Sequence, residues 1–147
     1  MGTIRVAEKE DFQKLKEFLQ DGNVSANGMD HDNNVFFIVE NEQNELLAAL
    51  GIDFEQSVGL LRSFVIKVGM NDIHLFSLFE RVFQYSKQQA IETVVLATDK
   101  LSVLPIFQGL GFEWVEKEQL PSALQSMEHG RSLLEQPNRY WMKRDFS

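Results

Sequence analysis

Val58-Gly-Leu-Leu-Arg-Ser-Phe-Val-Ile-Lys67, followed by Asn71-Asp-Ile-His-Leu-Phe-Ser-Leu-Phe-Glu-Arg-Val-Phe83, reads as a buried strand that runs into an amphipathic helix. A strand that ends where a helix begins aims the helix's unpaired N–H groups at the junction, where α/β folds hold anionic ligands. Function is therefore sought first at this joint. The turn between them, Val68-Gly-Met-Asn-Asp72, holds a single glycine where a phosphate-binding loop would hold several.

Working outward, Leu75, Leu78, Phe79, Val82 and Phe83 fall on one stripe of a helix running from Asn71 to about Gln89. Ile73 and Phe76 broaden that stripe, which predicts a deeply packed helix. Thr93-Val-Val-Leu-Ala97 is a continuous apolar run of the kind found inside a parallel pair. Because one helix separates it from Val58–Lys67, the two strands are expected to be parallel neighbours joined by a right-handed crossover. Upstream, residues 34–41 and 46–54 read as strands separated by the turn Glu42-Gln-Asn44, and Glu55-Gln-Ser57 turns the chain again, giving a meander.

The chain opens with a short alternating strand, Thr3-Ile-Arg-Val-Ala-Glu8, and a helix that starts at Glu8-Lys-Glu-Asp11, buries Phe12, Leu15, Phe18 and Leu19, and stops at Asp21-Gly22. Residues 23–34 are expected to form a loop or a loosely formed short helix, anchored by Val24 and Met29. Beyond Asp99 come a short helix ended by glycine, a strand at residues 112–115, a short helix over Leu120–Met127 with Pro121 in its first turn, and a closing strand at Arg139–Lys143.

Composition narrows the function classes. The 147 residues, 44% hydrophobic and 24% charged, are expected to fold as one domain spanning 1–147. A net charge of −8 argues against nucleic acid and anionic membrane as partners. The longest apolar run, Leu46 to Ile52, is far short of the about 20 residues a membrane span needs. Met1-Gly-Thr-Ile-Arg-Val-Ala shows no signal peptide, and the absence of cysteine removes disulfides and thiolate chemistry, so a cytoplasmic location is expected.

The order of elements is similar to that of the GNAT acetyltransferases, an α/β (α+β) fold with a mixed, mostly antiparallel sheet, a central parallel strand pair and helices on both faces. Gly59-Leu-Leu-Arg-Ser-Phe-Val65 resembles that family's core strand, and Ile106-Phe-Gln-Gly-Leu-Gly-Phe112 its late helix-to-strand signature. The tail Leu120-Pro, Glu128-His-Gly-Arg-Ser-Leu133 and Trp141-Met resembles a subgroup that contains the arsenic-resistance-associated acetyltransferases and is similar to the acetyltransferase domain of N-acetylglutamate synthases.

The resemblance implies direct attack of an amine on acetyl-CoA, with the backbone N–H groups of Phe64, Val65 and Ile66 facing the acetyl carbonyl. It places the cofactor's pyrophosphate on the turn and first helical residues, Asn71, Asp72, Ile73, His74 and Leu75. The family's arginine and glycines are absent there, so the loop is degenerate, and His74 and Lys67 are the nearby basic groups. Phe107 stands where many members carry a thiolate-protonating tyrosine, and Lys100 replaces the usual asparagine. No catalytic side chain is assigned; water is expected to protonate the leaving thiolate.

Arg62 and Arg131 are candidates for holding the carboxylate of an amino-acid-like acceptor. The alternative for Arg62 is an ion pair with Asp53 or Glu55. Tyr85 is read as a snorkelling surface residue. Asp30-His-Asp-Asn-Asn34 opens like a calcium loop but has Val35 and Asn41 where glycine and glutamate are required, so it is read as a solvated turn with no metal. Two functions follow: an N-acetyltransferase acting on a small-molecule amine, and a catalytically silent GNAT-fold binding or interaction module, with a homodimer left open. A third is transfer from a different acyl donor.

Overall fold

The computed structural model describes residues 3–24, 26, 29, 33–67 and 72–146. Seven strands form one sheet in the order β1-β2-β3-β4-β5-β7-β6, where β1 is Thr3–Val6, β2 Asn34–Glu40, β3 Leu46–Glu55, β4 Val58–Ile66, β5 Thr93–Thr98, β6 Glu113–Trp114 and β7 Tyr140–Asp145. The helices are α1 (Phe12–Asp21), α2 (Asp72–Gln88), α3 (Leu104–Gly109) and α4 (Glu128–Glu135). By contact density the chain divides into two units, residues 1–52 with 62–84, and residues 53–61 with 85–147.

In the first unit β1 runs antiparallel to β2, with Ile4 opposite Val39. Leu15 and Leu19, at i and i+4 on α1, are buried against Phe36 and Ile38 of β2 and Leu46 and Ala49 of β3. Met29 and Val24 pack on the same cluster, as expected. Gly51 is required there: a Cβ on it would stand 2.7 Å from the Phe36 ring. The β2–β3 turn is held by Asn41, whose Oδ1 accepts the N–H groups of Gln43 and Glu45 at 2.9 Å each.

Val65 of β4 belongs to the α1 side, and Phe64 meets Phe79 of α2 edge-on at 5.6 Å. Successive strand residues face opposite sides, so α1 and α2 cover opposite faces of this part of the sheet. The stripe on α2 is narrower than the sequence suggests. Leu78, Phe79, Val82 and Phe83 are buried, but Ile73 is 73% and Phe76 43% exposed. A helix turns about 100° per residue, which swings Ile73 well away from the line through Phe79 and Val82.

In the second unit β5 pairs with β4 in parallel, Val58 opposite Thr93 and Leu60 opposite Val95, as the crossover argument requires. On its other side β5 pairs antiparallel with β7 from Thr93–Asp145 to Thr98–Tyr140. Val58, Leu60, Val95, Val115 and Trp141 form a core covered by Ala123, Leu124 and Met127. The covering segment differs from expectation: residues 122–126 are a 3-10 helix, not an α-helix, with Pro121 as its N-cap, and α4 follows as an element the periodicity did not announce. Strand β6 is also shorter than expected, because α3 and its cap occupy the chain up to Phe112. That cap uses Gly111 at φ +92°, beside which the Arg144 Nη1 donates to the Leu110 carbonyl at 2.9 Å.

One charged cluster ties β1, β2 and the start of α1 together. Arg5 donates from Nη1 and Nη2 to both oxygens of Asp11, at 2.7 and 2.8 Å, and from Nε to Glu40 at 2.8 Å. Lys14 Nζ reaches the second oxygen of Glu40 at 3.0 Å. The Arg5 hydrogen bonds hold Asp11 down from 3.8 to about 2. Burial pushes Glu40 up, but the bonds from Arg5 and Lys14 outweigh it and leave Glu40 lowered. A carboxylate lowered by folding contributes stability above its unfolded pKa and loses it as pH falls toward its folded pKa. Stability should therefore drop between about pH 4 and about pH 2, and Asp11→Asn, less stable at pH 7, should show a smaller drop. Urea unfolding across that range checks this; the same acid dependence in wild type and variant would contradict it.

Candidate functional site

The second half of β4 is shaped by one irregularity. Counting back from the turn at Gln56 and Ser57, Ile66 should face Leu47; instead the Lys67 N–H donates to the Leu47 carbonyl at 2.8 Å. Strand β4 therefore carries an extra residue, and Ser63, at φ +54°, is where it is taken up. Beside it Arg62 is 8% exposed, and its Nε donates to the Ser63 Oγ at 3.2 Å.

The bulge decides which groups of the strand face which way. Alternate residues of an antiparallel strand turn their N–H and C=O to the same neighbour. With Lys67 turned to β3, Val65 turns there as well, and the N–H groups of Phe64 and Ile66 point to the opposite edge. The ladder between β4 and β5 runs from Val58 to Leu60, so these two donors lie past its last rung. Phe64 is fixed by the Phe79 ring. Val65 is fixed by α1: a Cβ on Gly22 would come within 2.9 Å of its Cγ1.

Ile73, His74 and Leu75 form the first turn of α2, with His74 and Leu75 half-buried. Asn71 and the rest of the turn from Val68 lie outside the described residues, as does the side chain of Asp72. Arg62, Phe64, Val65, Ile66, Ile73, His74 and Leu75 belong to one unit. Arg131 belongs to the other, exposed on α4, where its Nη1 donates to the Gln125 carbonyl at 3.0 Å. Phe107 packs edge-on against Phe112 at 5.9 Å, and Tyr85 lies against Phe54. Asp30, His31 and Asp32 lie outside the described residues. Ser63 escaped the sequence reading, because serine carries no signal for a left-handed backbone.

A mixed seven-stranded sheet with a parallel β4–β5 pair and helices matches the fold of the GNAT acetyltransferases. An acetyltransferase of the GNAT family from Staphylococcus aureus Mu50 superimposes with a TM-score of 0.78 over all of both chains at 16% identity. N-acetylglutamate synthase from Neisseria gonorrhoeae, complexed with coenzyme A and N-acetyl-glutamate, gives 0.78 at 14% identity over all of this chain and 35% of that one. In sequence, the chain is 29% identical over 127 residues to an uncharacterised Bacillus subtilis (strain 168) protein, YwlB, covering 86% of this chain and 85% of that protein. No protein-family model matches the sequence.

Proposed function

We propose that the chain is an N-acyltransferase of the GNAT type that moves an acetyl group from acetyl-CoA to the amine of a small molecule. The observation that carries this reading is the second half of β4, where the bulge at Ser63 leaves the Phe64 and Ile66 N–H groups on the edge away from β3, beyond the ladder with β5. Two fixed backbone donors suit a carbonyl whose oxygen gains charge during attack, because they need no rearrangement as that charge develops. The acyl end of acetyl-CoA therefore fits. Acetyl-CoA would supply an activated thioester carbonyl; the amine nitrogen would form the new N–C bond and give up one proton to water as the C–S bond breaks, and water would return a proton to the leaving thiolate.

Phe107 has no proton to donate, so water fills that role. At the other end of the donor, the described part of the α2 first turn offers the His74 imidazole and the apolar side chains of Ile73 and Leu75. Arg62, buried beside the bulge, is the residue we assign to the carboxylate of an amino-acid-like acceptor. The likeness to a synthase complexed with N-acetyl-glutamate supports that class of acceptor. The reaction is placed in the cytoplasm, where acetyl-CoA is available.

A second reading, a catalytically silent binding module, is favoured by one observation: Ile73, a bulky apolar residue at 73% exposure, stands on the turn where backbone should approach phosphate. Thermal unfolding with acetyl-CoA separates the two. A ligand at 100 times its dissociation constant adds about 2.7 kcal/mol, a rise of roughly 5–10 °C for a chain of this length. His74→Ala should shrink that rise. No rise at millimolar acetyl-CoA would contradict the acetyl-CoA-dependent reading.

A further inference from the structure

We propose that a cleft at the β6–β7 corner binds a small organic carboxylate with a flat apolar body. The cleft, about 290 Å³, lies wholly in the second unit, between the chain leaving β6 and the chain entering β7. Its volume is close to the lower limit of small-molecule sites, about 300 Å³. Binding there is independent of acyl transfer at β4.

Two features define the ligand. The first is an aromatic wall: Trp114, 51% exposed, meets Tyr140 edge-on at 5.7 Å with the ring planes at 90°. A large, half-exposed indole on a short edge strand contributes little to the core, but it offers a face on which a flat group can lie. The second is local charge. The lining contains Arg139 and Lys117 against Glu116, and Asp99 beside Arg139 balances them, so the cleft is close to neutral in a chain whose net charge is −8. On an acidic protein a near-neutral cleft that holds a guanidinium and an exposed ammonium is the ground on which an anion meets least repulsion.

Arg139 is already aimed. Its Nη1 lies 3.5 Å from Asp99 Oδ2 and its Nη2 donates to Gln136 Oε1, which fixes the plane of the guanidinium while donors remain for a ligand. Asn138, at φ +60°, closes the turn that carries Gln136 and Arg139. Lys117 makes no side-chain hydrogen bond or ion pair among the described residues, so its ammonium is available. A carboxylate at Arg139, supported by Lys117, puts an attached ring against Trp114 and Tyr140. An amine would meet the cations instead.

Tryptophan emission tests this, because Trp114 is exposed while the second tryptophan, Trp141, is buried. The full chain is titrated at pH 7 with 3-phenylpropionate and, separately, with 2-phenylethylamine, which carries the same ring and the opposite charge. The expected result is a saturable blue shift with the carboxylate in the millimolar range, weakened by added salt, and at least tenfold weaker binding for the amine. Arg139→Gln should weaken the carboxylate at least tenfold and Lys117→Gln about threefold. Lys117, being exposed, decides the matter if Arg139→Gln fails to fold. No saturable shift, equal binding of the amine, or an unchanged affinity in Lys117→Gln with a folded Arg139→Gln also unaffected would overturn the proposal.

Discussion

Phe79→Ala is expected to lower stability by about 3–5 kcal/mol and to weaken acetyl-CoA binding with it. Phe79 is 1% exposed and touches two rings at once, Phe64 at 5.6 Å and Phe83 at 6.0 Å. Removing it leaves a cavity in the middle of the α2 interface, on top of the lost transfer free energy of the ring. Total stabilities of single domains are about 5–15 kcal/mol, so the loss is a large fraction of the whole. The same ring positions Phe64, whose N–H we assign to the acyl carbonyl, so the loss should appear both in urea unfolding and in the acetyl-CoA titration. A loss below about 1 kcal/mol would show that the site collapses around the missing ring.

Gly130→Ala carries the second large effect. A Cβ at Gly130 would stand 2.3 Å from the Leu124 carbonyl oxygen and 3.1 Å from the carbonyl carbon. Those are backbone atoms of the 3-10 segment beneath α4 and cannot swing aside as a side chain can. Overpacking typically costs about 1–3 kcal/mol, and an obstacle made of backbone puts this case at about 3 kcal/mol or above. Gly109→Ala is the internal control. It lies at the end of α3 with nothing within 4 Å of the new Cβ, and removing a helical glycine should gain up to about 1 kcal/mol. Comparable losses from both substitutions would contradict the packing argument.

The sequence made the strands and the long helix legible because their burial follows simple periods. β2, β3, β4 and β5 all appear within a residue or two of where the apolar runs place them, and the parallel β4–β5 pair follows from the intervening helix. The α2 stripe is narrower than its apolar residues suggest: the helical wheel carries Ile73 to the side opposite Val82, whereas Phe76 lies on the Phe79 and Phe83 side and is still 43% exposed. Residues 116–135 were harder for a different reason. Short 3-10 turns have no long period, and a glycine inside α4 reads as a stop until its contact with the Leu124 carbonyl is seen.

The candidate site was legible as a strand but not as a register. Phe64, Val65 and Ile66 could be named from the resemblance, yet which of their N–H groups turn outward depends on the extra residue at Ser63, and a serine at positive φ leaves no trace in the sequence. The bulge hands Val65 to β3 and keeps Phe64 and Ile66 for the other edge. The β6–β7 cleft was invisible for a related reason: Trp114, Lys117 and Arg139 are brought together by the antiparallel return of β7, not by spacing along the chain.

The most direct test is the backbone amide spectrum of the protein titrated with acetyl-CoA and, in parallel, with CoA, which has no acetyl group. The account predicts that the Phe64 and Ile66 N–H resonances shift with acetyl-CoA well beyond their response to CoA, while Val65 moves little. Identical responses to the two ligands, or a shift confined to Val65, would contradict it.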